Sequence, residues 1–195
     1  MKLPLDCDVD YIENFLNKKE ADKLFSLLLH TYEIDKARLI IKAGGQLIKT
    51  DSFKFLFTTS ELIKTNSHPE EVHGKSFVFD GIMTELKNKI QTFLKREFEL
   101  AMCLYYPDGN FFAPYHSDQE TSGHATILPS LSLGGTRQFS FKNKASGDTY
   151  KLELDHGSLL VMGAYCQTRY EHSLLKDPTF GEDRINITFR DRNFM

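Results

Sequence analysis

Two residue types that bind metal ions stand close together near the middle of the chain. His116 and Asp118 flank Ser117, and on an extended segment residues i and i+2 point to the same face. An imidazole and a carboxylate placed in this way can reach one metal ion. So short a pattern also arises by chance, because a histidine at a strand end beside a surface aspartate has the same spacing. The pair alone therefore only suggests a metal site.

A second chemical pattern lies near the C-terminus, where residues 184–190 alternate strictly between polar and apolar types. As a strand, this segment sends four polar side chains to one face: Arg184, Asn186, Thr188 and Arg190. Two guanidinium groups and an amide form a suitable clamp for a small dicarboxylate, because arginine binds carboxylates through paired hydrogen bonds. The alternative is an ordinary amphipathic strand with its charged face in water. Such a face would tolerate lysine and glutamate equally, and here both charges are arginine.

The elements that would position these residues are helical in the first half of the chain. Asn17 and Glu20 have the spacing of a capping box, in which each side chain satisfies the other residue's backbone N–H group. Apolar residues follow at helical spacing from 21 to 28, which predicts an amphipathic helix. A second apolar stripe predicts a helix over residues 82–97. The stretch 64–75, with its asparagine, serine, proline and glycine, is typical of an exposed loop.

Strand patterns dominate the second half, and one occurs earlier. Phenylalanines recur at every second position from 53 to 57, as in a half-buried strand. Further strands, separated by turn residues, are predicted over 100–106, 125–133, 137–142, 150–154, 158–162 and 184–190. Regular short strands with such turns favour a sandwich, a barrel or a jelly roll.

Composition and charge exclude several classes of protein. The chain has 195 residues, 41% hydrophobic and 26% charged, which suits one soluble domain. No apolar run approaches the roughly 18–20 residues of a membrane span, and no signal pattern begins the chain, so a cytoplasmic protein is expected. The net charge of −3 argues against non-specific coating of duplex DNA. Cys7, Cys103 and Cys166 lack the spacing of a zinc site and are expected to be buried free thiols.

Taken together, the motifs resemble those of the AlkB family of 2-oxoglutarate oxygenases. The resemblance is carried by six blocks in family order: Tyr106 with Asp108-Gly109-Asn110, then 116–118, 130–134, 156–160, 170–174 and 184–190. It covers residues 98–190, about half of the chain. The first hundred residues match only loosely, as a helical support and a nucleotide-recognition lid would.

The resemblance implies one Fe(II)/2-oxoglutarate dioxygenase domain over residues 1–195, of the α+β class but mainly β. A double-stranded β-helix, or jelly roll, would occupy 100–195, while 1–99 would supply supporting helices and the lid. The family pattern makes His116, Asp118 and His172 the three iron ligands. Such a 2-His-1-carboxylate triad leaves positions open for the co-substrate and O₂. The choice of His172 rests on the family pattern, because periodicity alone cannot select the third ligand.

The same resemblance assigns residues to the co-substrate. Arg184 would pair with the distal carboxylate of 2-oxoglutarate, helped by Asn186 and Tyr106. Arg190 would face the end that chelates iron, with Thr188 nearby.

Two positions depart from the family pattern. Leu104 stands where the family commonly has an asparagine, and a leucine cannot donate a hydrogen bond, so weaker co-substrate binding is expected unless a water substitutes. Gln119 stands where several relatives have an acid directly after the metal-binding aspartate. Glu120 remains available to contact a base edge.

The reaction implied is oxidation of an N-linked methyl group on an alkylated base, of the N1-methyladenine or N3-methylcytosine type, in DNA or RNA. 2-Oxoglutarate becomes succinate and CO₂, and the product loses formaldehyde. A monomer that prefers single strands is expected, because a flipped base in a duplex must first be unstacked. Candidate stacking residues are Phe53, Phe55 and Tyr115, although the core explains them more simply. Lys142 and Lys144 are candidates for phosphate contacts.

Two alternatives remain at this point. The first is an oxygenase of the same fold that acts on a protein side chain or a small metabolite, in keeping with the net acidity and the unfamiliar lid. The second is a binding module that keeps the motifs without turnover, and Leu104 is its support.

Overall fold

The computed structural model of the chain describes residues 1–43, 46–118 and 126–192. Its α-helices are α1 (Lys18–His30), α2 (Ser60–Lys64), α3 (Glu70–His73), α4 (Gly81–Leu94) and α5 (Cys166–Arg169). A short 3₁₀ helix spans Ile34–Lys36. The early strands are β1 (Val9–Ile12), β2 (Arg38–Ala43), β3 (Gln46–Thr58), β4 (Ser76–Val78), β5 (Leu100–Tyr106) and β6 (Ala113–His116). The later strands are β7 (Leu128–Gly134), β8 (Arg137–Asn143), β9 (Thr149–Leu154), β10 (Leu159–Met162), β11 (Tyr170–Leu174) and β12 (Arg184–Arg190).

The strands form two sheets. The major sheet has the order β1-β10-β7-β12-β5-β3-β2, with β4 added parallel to β3. The minor sheet has the order β6-β11-β8-β9, and its pairs are antiparallel. Neighbours in these sheets are often distant in the chain, which is the crossover pattern of a jelly roll. The mainly β architecture expected from the sequence is the one observed.

Two apolar clusters hold the layers together. One lies on the outer face of the major sheet, where Leu24 and Leu28 of α1 pack with Ile185 and Ile187 of β12. The other includes Leu160 and Phe141, from the major and minor sheets respectively, and so joins the two sheets. Because side chains alternate along a strand, the apolar face of β12 meets the helices. Its polar face is thereby directed toward the minor sheet.

The helix predictions hold with local exceptions. Asn17 and Glu20 form the predicted capping box, with bonds of 3.0 Å and 2.8 Å between side chain and backbone. The helix predicted over 82–97 ends at Leu94, because Lys95 takes a left-handed conformation with φ of 51°. The exposed loop predicted over 64–75 is wrong in part. It contains α3, and both of its histidines are buried.

The strand predictions are accurate near the centre of the major sheet. The strand predicted over 125–133 begins at Leu128, and residue 125 lies outside the described residues. Within the described part of the chain, the longest helix has 14 residues, and none is both long and apolar enough to cross a membrane.

Candidate metal and co-substrate site

Strand pairing in the minor sheet brings the two predicted histidine ligands together. His116 ends β6 and lies directly opposite His172 of β11 in the antiparallel register. Their ring centroids are 4.4 Å apart. Asp118 follows two residues after His116, and the ligand atoms of all three residues lie within 4.8 Å of one another. The three residues selected by family pattern therefore form one cluster.

The hydrogen bonds of the cluster determine which atoms face one another. His116 Nδ1 lies 2.7 Å from the carbonyl oxygen of Pro114. A carbonyl only accepts, so Nδ1 carries the proton and Nε2 is left as a ligand atom. His172 Nε2 is 3.4 Å from Asp118 Oδ2. The Phe139 ring stacks on the His172 ring at 5.5 Å between centroids, which fixes the orientation of this imidazole.

Asp118 is held from three directions. Its Oδ1 accepts a hydrogen bond of 2.6 Å from Arg190 Nη2. Its backbone N–H donates to Gln167 Oε1 at 2.9 Å. The preceding residue, Ser117, donates its hydroxyl to the Tyr170 carbonyl at 2.9 Å. The carboxylate is thereby oriented with Oδ2 toward His172.

The protonation states of the cluster suit a cation. Burial alone would raise the pKa of Asp118, but Arg190 and His172 outweigh it and hold the pKa below its ordinary value. Burial lowers the pKa of His172 to about 4. At neutral pH the cluster therefore offers a carboxylate and a neutral buried imidazole. This donor set fits the 2-His-1-carboxylate triad of non-haem Fe(II) sites.

A cavity of about 80 Å³ lies between the sheets, lined by the metal cluster and by the polar face of β12. Arg184 lies in its wall and is only 2% exposed. Its Nη2 donates to Ser132 Oγ at 2.9 Å, and its guanidinium lies 5.5 Å from the centre of the Tyr106 ring. Among the described residues no carboxylate pairs with it. Burial lowers the pKa of Arg184 to about 10, so the group stays charged at neutral pH.

A buried cation without an internal counter-ion is unfavourable unless an anion binds beside it. The Arg184 Nε–H is also buried and has no hydrogen-bond partner in the described part of the chain. The arrangement thus fits a ligand carboxylate at this end of the cavity.

Polar side chains continue from Arg184 toward the metal cluster. Ser130 Oγ donates to Asn186 Oδ1 at 2.8 Å, and Asn186 Nδ2 donates to Thr188 Oγ1 at 2.8 Å. Leu104 lies opposite Asn186 in the register of β5 and β12 and lines the same cavity. An apolar side chain therefore occupies the wall where the family commonly has an amide. Ser130 and Ser132 belong to the family block 130–134, but the sequence analysis assigned them no role, although they stand two positions apart and so share a face.

The candidate stacking residues do not line this cavity. Phe55 is buried against Tyr32 on the helix side of the major sheet. Phe53 packs edge-on to Tyr105 on that side. Tyr115 lies on the outer face of the minor sheet and donates to Ser140 at 2.8 Å, because alternation along β6 sends it away from its neighbour His116. The idea that these three stack on a base is not supported.

The two lysines suggested for phosphate contacts lie in the described part of the chain. Lys142 lies over the Tyr115 ring at 5.5 Å, and Lys144 donates to the carbonyl of Gln167 at 2.7 Å, so both lie at the C-terminal end of β8. Gln119 and Glu120 lie outside the described residues.

A group of basic side chains beside Arg190 was also missed from the sequence. Lys54 lies opposite Leu104 in the register of β3 and β5, and so on the cavity side of the major sheet. Burial, with Arg190 as a second cause, lowers the pKa of Lys54. His73 is buried near it, and burial together with Lys54 lowers the pKa of His73 to about 4. The segment predicted as an exposed loop thus packs, through α3, against β2 and β3 of the major sheet.

Comparison with known proteins agrees with this geometry. The family described as the 2OG-Fe(II) oxygenase superfamily matches residues 8–190. The chain belongs to this superfamily. The family implies Fe(II), 2-oxoglutarate and O₂ as cofactor and co-substrates, as the resemblance predicted.

Similar proteins carry AlkB names. The chain is 37% identical over 119 residues to alpha-ketoglutarate-dependent dioxygenase alkB homolog 3 of Bos taurus, covering 56% of this chain and 42% of that protein. It is 25% identical over 205 residues to the DNA oxidative demethylase ALKBH2 of Mus musculus, covering 95% of this chain and 80% of that protein. The chain thus spans less than half of the first relative. The resemblance to the AlkB family is confirmed.

A solved structure shares the fold. The structure of OsALKBH1 superposes with a TM-score of 0.63 at 14% identity, covering 98% of this chain and all of that one. At this identity the likeness concerns the fold alone, and it confirms the predicted jelly roll.

Proposed function

We propose that the chain is an Fe(II)- and 2-oxoglutarate-dependent dioxygenase that demethylates alkylated bases in nucleic acid. The bases would be of the N1-methyladenine or N3-methylcytosine type, and single strands would be preferred. The observation that carries the proposal is one cavity with a metal-ligand cluster at one end and, at the other, the buried Arg184, which has no carboxylate partner among the residues the structure describes. The proposal includes a monomer that works in the cytoplasm, as suggested by the sequence.

In this proposal His116, Asp118 and His172 hold Fe(II). When bound, the metal supplies the chemistry that couples O₂ reduction to the oxidative decarboxylation of 2-oxoglutarate and to oxidation of the methyl group. Arg190 keeps Asp118 ionised and oriented through its 2.6 Å bond to Oδ1, which leaves Oδ2 for the cation.

The other end of the cavity selects the co-substrate. Arg184 binds the distal carboxylate of 2-oxoglutarate, with Tyr106 beside it. Asn186 and Thr188 extend the polar wall toward the metal. The single carboxylate of a monocarboxylate can pair with Arg184 or reach the metal cluster, but it cannot do both. The two ends together therefore favour a dicarboxylate.

The base would approach from the His116 side. His172 is 4% exposed, whereas His116 is exposed, so one face of the cluster is open to solvent while the other is closed by the sheets. A cavity of about 80 Å³ holds a small co-substrate and leaves no room for a base inside it. The methylated base must therefore reach the metal from this open face.

The preference for single strands rests on charge. A net charge of −3 gives little general attraction to duplex DNA. Binding a single strand needs only a short basic groove and a stacking surface. The names of the similar proteins, one of which is a DNA oxidative demethylase, support nucleic acid as the substrate class.

The test is formaldehyde release, measured with succinate production, from matched single-stranded and duplex oligonucleotides at one salt concentration. The expected result is release from both, faster from the single strand, and none from His172→Ala. Faster release from the duplex would contradict the strand preference. Succinate without formaldehyde from any oligonucleotide would favour an oxygenase with a protein or metabolite substrate. No succinate with any acceptor would favour the binding module.

A further inference from the structure

The N-terminal strap, defined as residues 3–8, binds the part of the chain around α5. The Asp8 N–H donates to the Ala164 carbonyl at 3.1 Å, and Gly163 N–H donates to the Asp8 carbonyl at 2.6 Å. Arg169 Nη1 donates to the Asp6 carbonyl at 2.6 Å and lies 2.8 Å from its carboxylate. The strap and α5 are therefore held in register by backbone as well as side-chain bonds.

Two thiols meet inside this contact. Cys7 lies in the strap between Asp6, which binds Arg169, and Asp8, which binds residues 163 and 164, so it is placed beside α5. Cys166 begins α5, and both thiols are buried in the apolar cluster that joins the two sheets. Cys7 is 9% exposed and Cys166 is 0% exposed. Solvent therefore reaches the pair from the Cys7 side.

The two thiols differ in acidity. The hydrogen bond from Cys166 lowers the pKa of Cys7, and the nearby Arg169 adds to this effect. The same hydrogen bond and burial raise the pKa of Cys166. Because the thiolate is the reactive form, Cys7 is the thiol that reacts first. Cys166 is then placed to react with the sulfenic acid formed at Cys7.

The pair is also connected to the metal cluster. Gln167 directly follows Cys166 in α5, and its Oε1 accepts the 2.9 Å hydrogen bond from the Asp118 backbone. Gln167 therefore links the helix that carries Cys166 to a candidate metal ligand. A movement of α5 changes the position of that ligand.

We propose that Cys7 and Cys166 are an oxidation site, at which hydrogen peroxide converts the two thiols into a reversible intrachain disulfide. This disulfide weakens metal binding at the cluster of His116, Asp118 and His172. The disulfide step stands without the proposed function, whereas its effect on the metal rests on it.

The chemistry is balanced with peroxide as the oxidant. The Cys7 thiolate attacks hydrogen peroxide, so an S–O bond forms, the O–O bond breaks, and one water leaves after protonation. The Cys166 sulfur then attacks the sulfenic sulfur of Cys7, so the S–S bond forms, the S–O bond breaks, and a second water leaves. The two thiols lose two electrons and two protons in total, and the peroxide is reduced to two waters.

The direction of the effect follows from the link through Gln167. A covalent S–S bond, at about 2.0 Å, is shorter than any nonbonded contact between two sulfur atoms, so α5 must move toward the strap when the bond forms. The hydrogen bond from Gln167 to the Asp118 backbone is then displaced from its geometry in the reduced protein. Loss of a partner that orients a metal ligand typically weakens metal binding by about 10- to 100-fold.

Cys103 provides an internal control. It is fully buried in the other apolar cluster, and burial strongly raises its pKa. It should therefore remain a free thiol under conditions that oxidise Cys7.

The test uses the full metal-free chain, treated with a small excess of hydrogen peroxide and then freed of it. Peptide mapping without reductant should show a Cys7–Cys166 linked peptide and an unmodified Cys103, and dithiothreitol should remove the link. The Mn(II) dissociation constant, measured by calorimetry, should rise about 10-fold on oxidation and return on reduction. Cys7→Ser should bind Mn(II) like the reduced protein and show no change with peroxide, while Cys103→Ser should behave as the wild type.

Absence of the linked peptide, or oxidation of Cys7 to a sulfinic acid alone, would overturn the disulfide. A linked peptide with an unchanged Mn(II) dissociation constant would overturn the effect on the metal. Failure of the reduced chain to bind Mn(II) would contradict the proposed function and the effect on the metal, while the peptide map would still decide the disulfide.

Discussion

The metal end and the carboxylate end of the cavity are built from opposite sheets and balance charge in different ways. At the metal end, Asp118 is ionised and already paired with Arg190 at 2.6 Å. At the carboxylate end, Arg184 is buried without an acidic partner in the described part of the chain. At the metal end the carboxylate is already ionised and oriented before a cation binds. At the carboxylate end the charge of Arg184 is left for the carboxylate of a ligand to neutralise. If the metal binds at the first end and 2-oxoglutarate at the second, as we propose, the two depend on different residues and can be separated by mutation.

Removing a metal ligand should have the largest effect. His116→Ala, Asp118→Ala and His172→Ala should each abolish formaldehyde release and Mn(II) binding, because each change removes one of three protein ligands. Circular dichroism should show that the fold persists. The matched control is Tyr115→Phe, on the outer face of the minor sheet next to His116, which should keep its activity. If His172→Ala turned over at the wild-type rate with added Fe(II), another residue would be the third ligand.

Changing the carboxylate end should weaken the co-substrate and leave the metal bound. Arg184→Lys loses the paired hydrogen bonds of a guanidinium, and a lost charge-assisted bond in a buried site costs about 1.5–3 kcal/mol. The dissociation constant of 2-oxoglutarate should therefore rise roughly 10- to 150-fold, measured by calorimetry with Mn(II) present. Arg192→Lys, at an exposed arginine paired with Glu99, is the matched control. An equal loss of Mn(II) affinity in Arg184→Lys would remove the distinction between the two ends.

Lowering the pH should destabilise the metal-free chain through His172. Its pKa falls from 6.5 to about 4 because the ring is buried. The unfolded chain thus takes up the proton at higher pH than the folded one. The contribution of the neutral ring to the free energy of unfolding is complete above pH 6.5 and is lost as the pH falls toward 4.

Urea denaturation at pH 7 and near pH 5 measures this loss. His172→Gln should reduce the difference between the two free energies of unfolding, while the control His30→Gln, at an exposed position of α1, should preserve it. His73 has a pKa lowered in the same way, so some of the difference should remain in His172→Gln. If the difference were unchanged in His172→Gln, the His172 ring of the wild type would take up its proton at the same pH in the folded and unfolded chain.

The smallest expected effect concerns the apolar wall between the ends. Leu104→Asn should tighten 2-oxoglutarate binding by a few-fold, since an amide adds a hydrogen-bond donor close to Asn186 and typical bonds contribute about 0.5–1.5 kcal/mol. Leu104→Ala, which removes apolar surface without adding a donor, is the control. The assay is the calorimetric titration used for Arg184→Lys. Weaker binding in Leu104→Asn would mean that packing at this position matters more than the missing donor.

The sequence predicts the carboxylate end well because it rests on one strand. The strict alternation in β12 places Arg184 and Arg190 on one face, and both side chains lie in the wall of the cavity. The metal end is harder to predict from the sequence, because His172 meets His116 only through the pairing of β11 with β6. A five-residue strand such as β11 has too few positions for its periodicity to select a ligand. The family pattern supplied what periodicity could not.

Features that depend on distant packing were missed. The polar segment with His68 and His73 has the composition of a loop, yet it covers the major sheet, and burial there is a tertiary effect. Likewise Cys7 and Cys166 are far apart in the chain, so their spacing carries no information about the apolar cluster in which both are buried. The stacking role suggested for Tyr115 stays a prediction, and its ring lies on the face of β6 opposite to that of His116.

The pairing of β6 with β11 also has a consequence for the order of assembly. Residues 116 and 172 meet only after the intervening strands β7 to β10 have been placed in two different sheets. Contacts between residues so distant in sequence require a large loop to close and generally form late. The cluster of His116, Asp118 and His172 is therefore completed near the end of folding, and uptake of Mn(II) during refolding would report when the jelly roll closes.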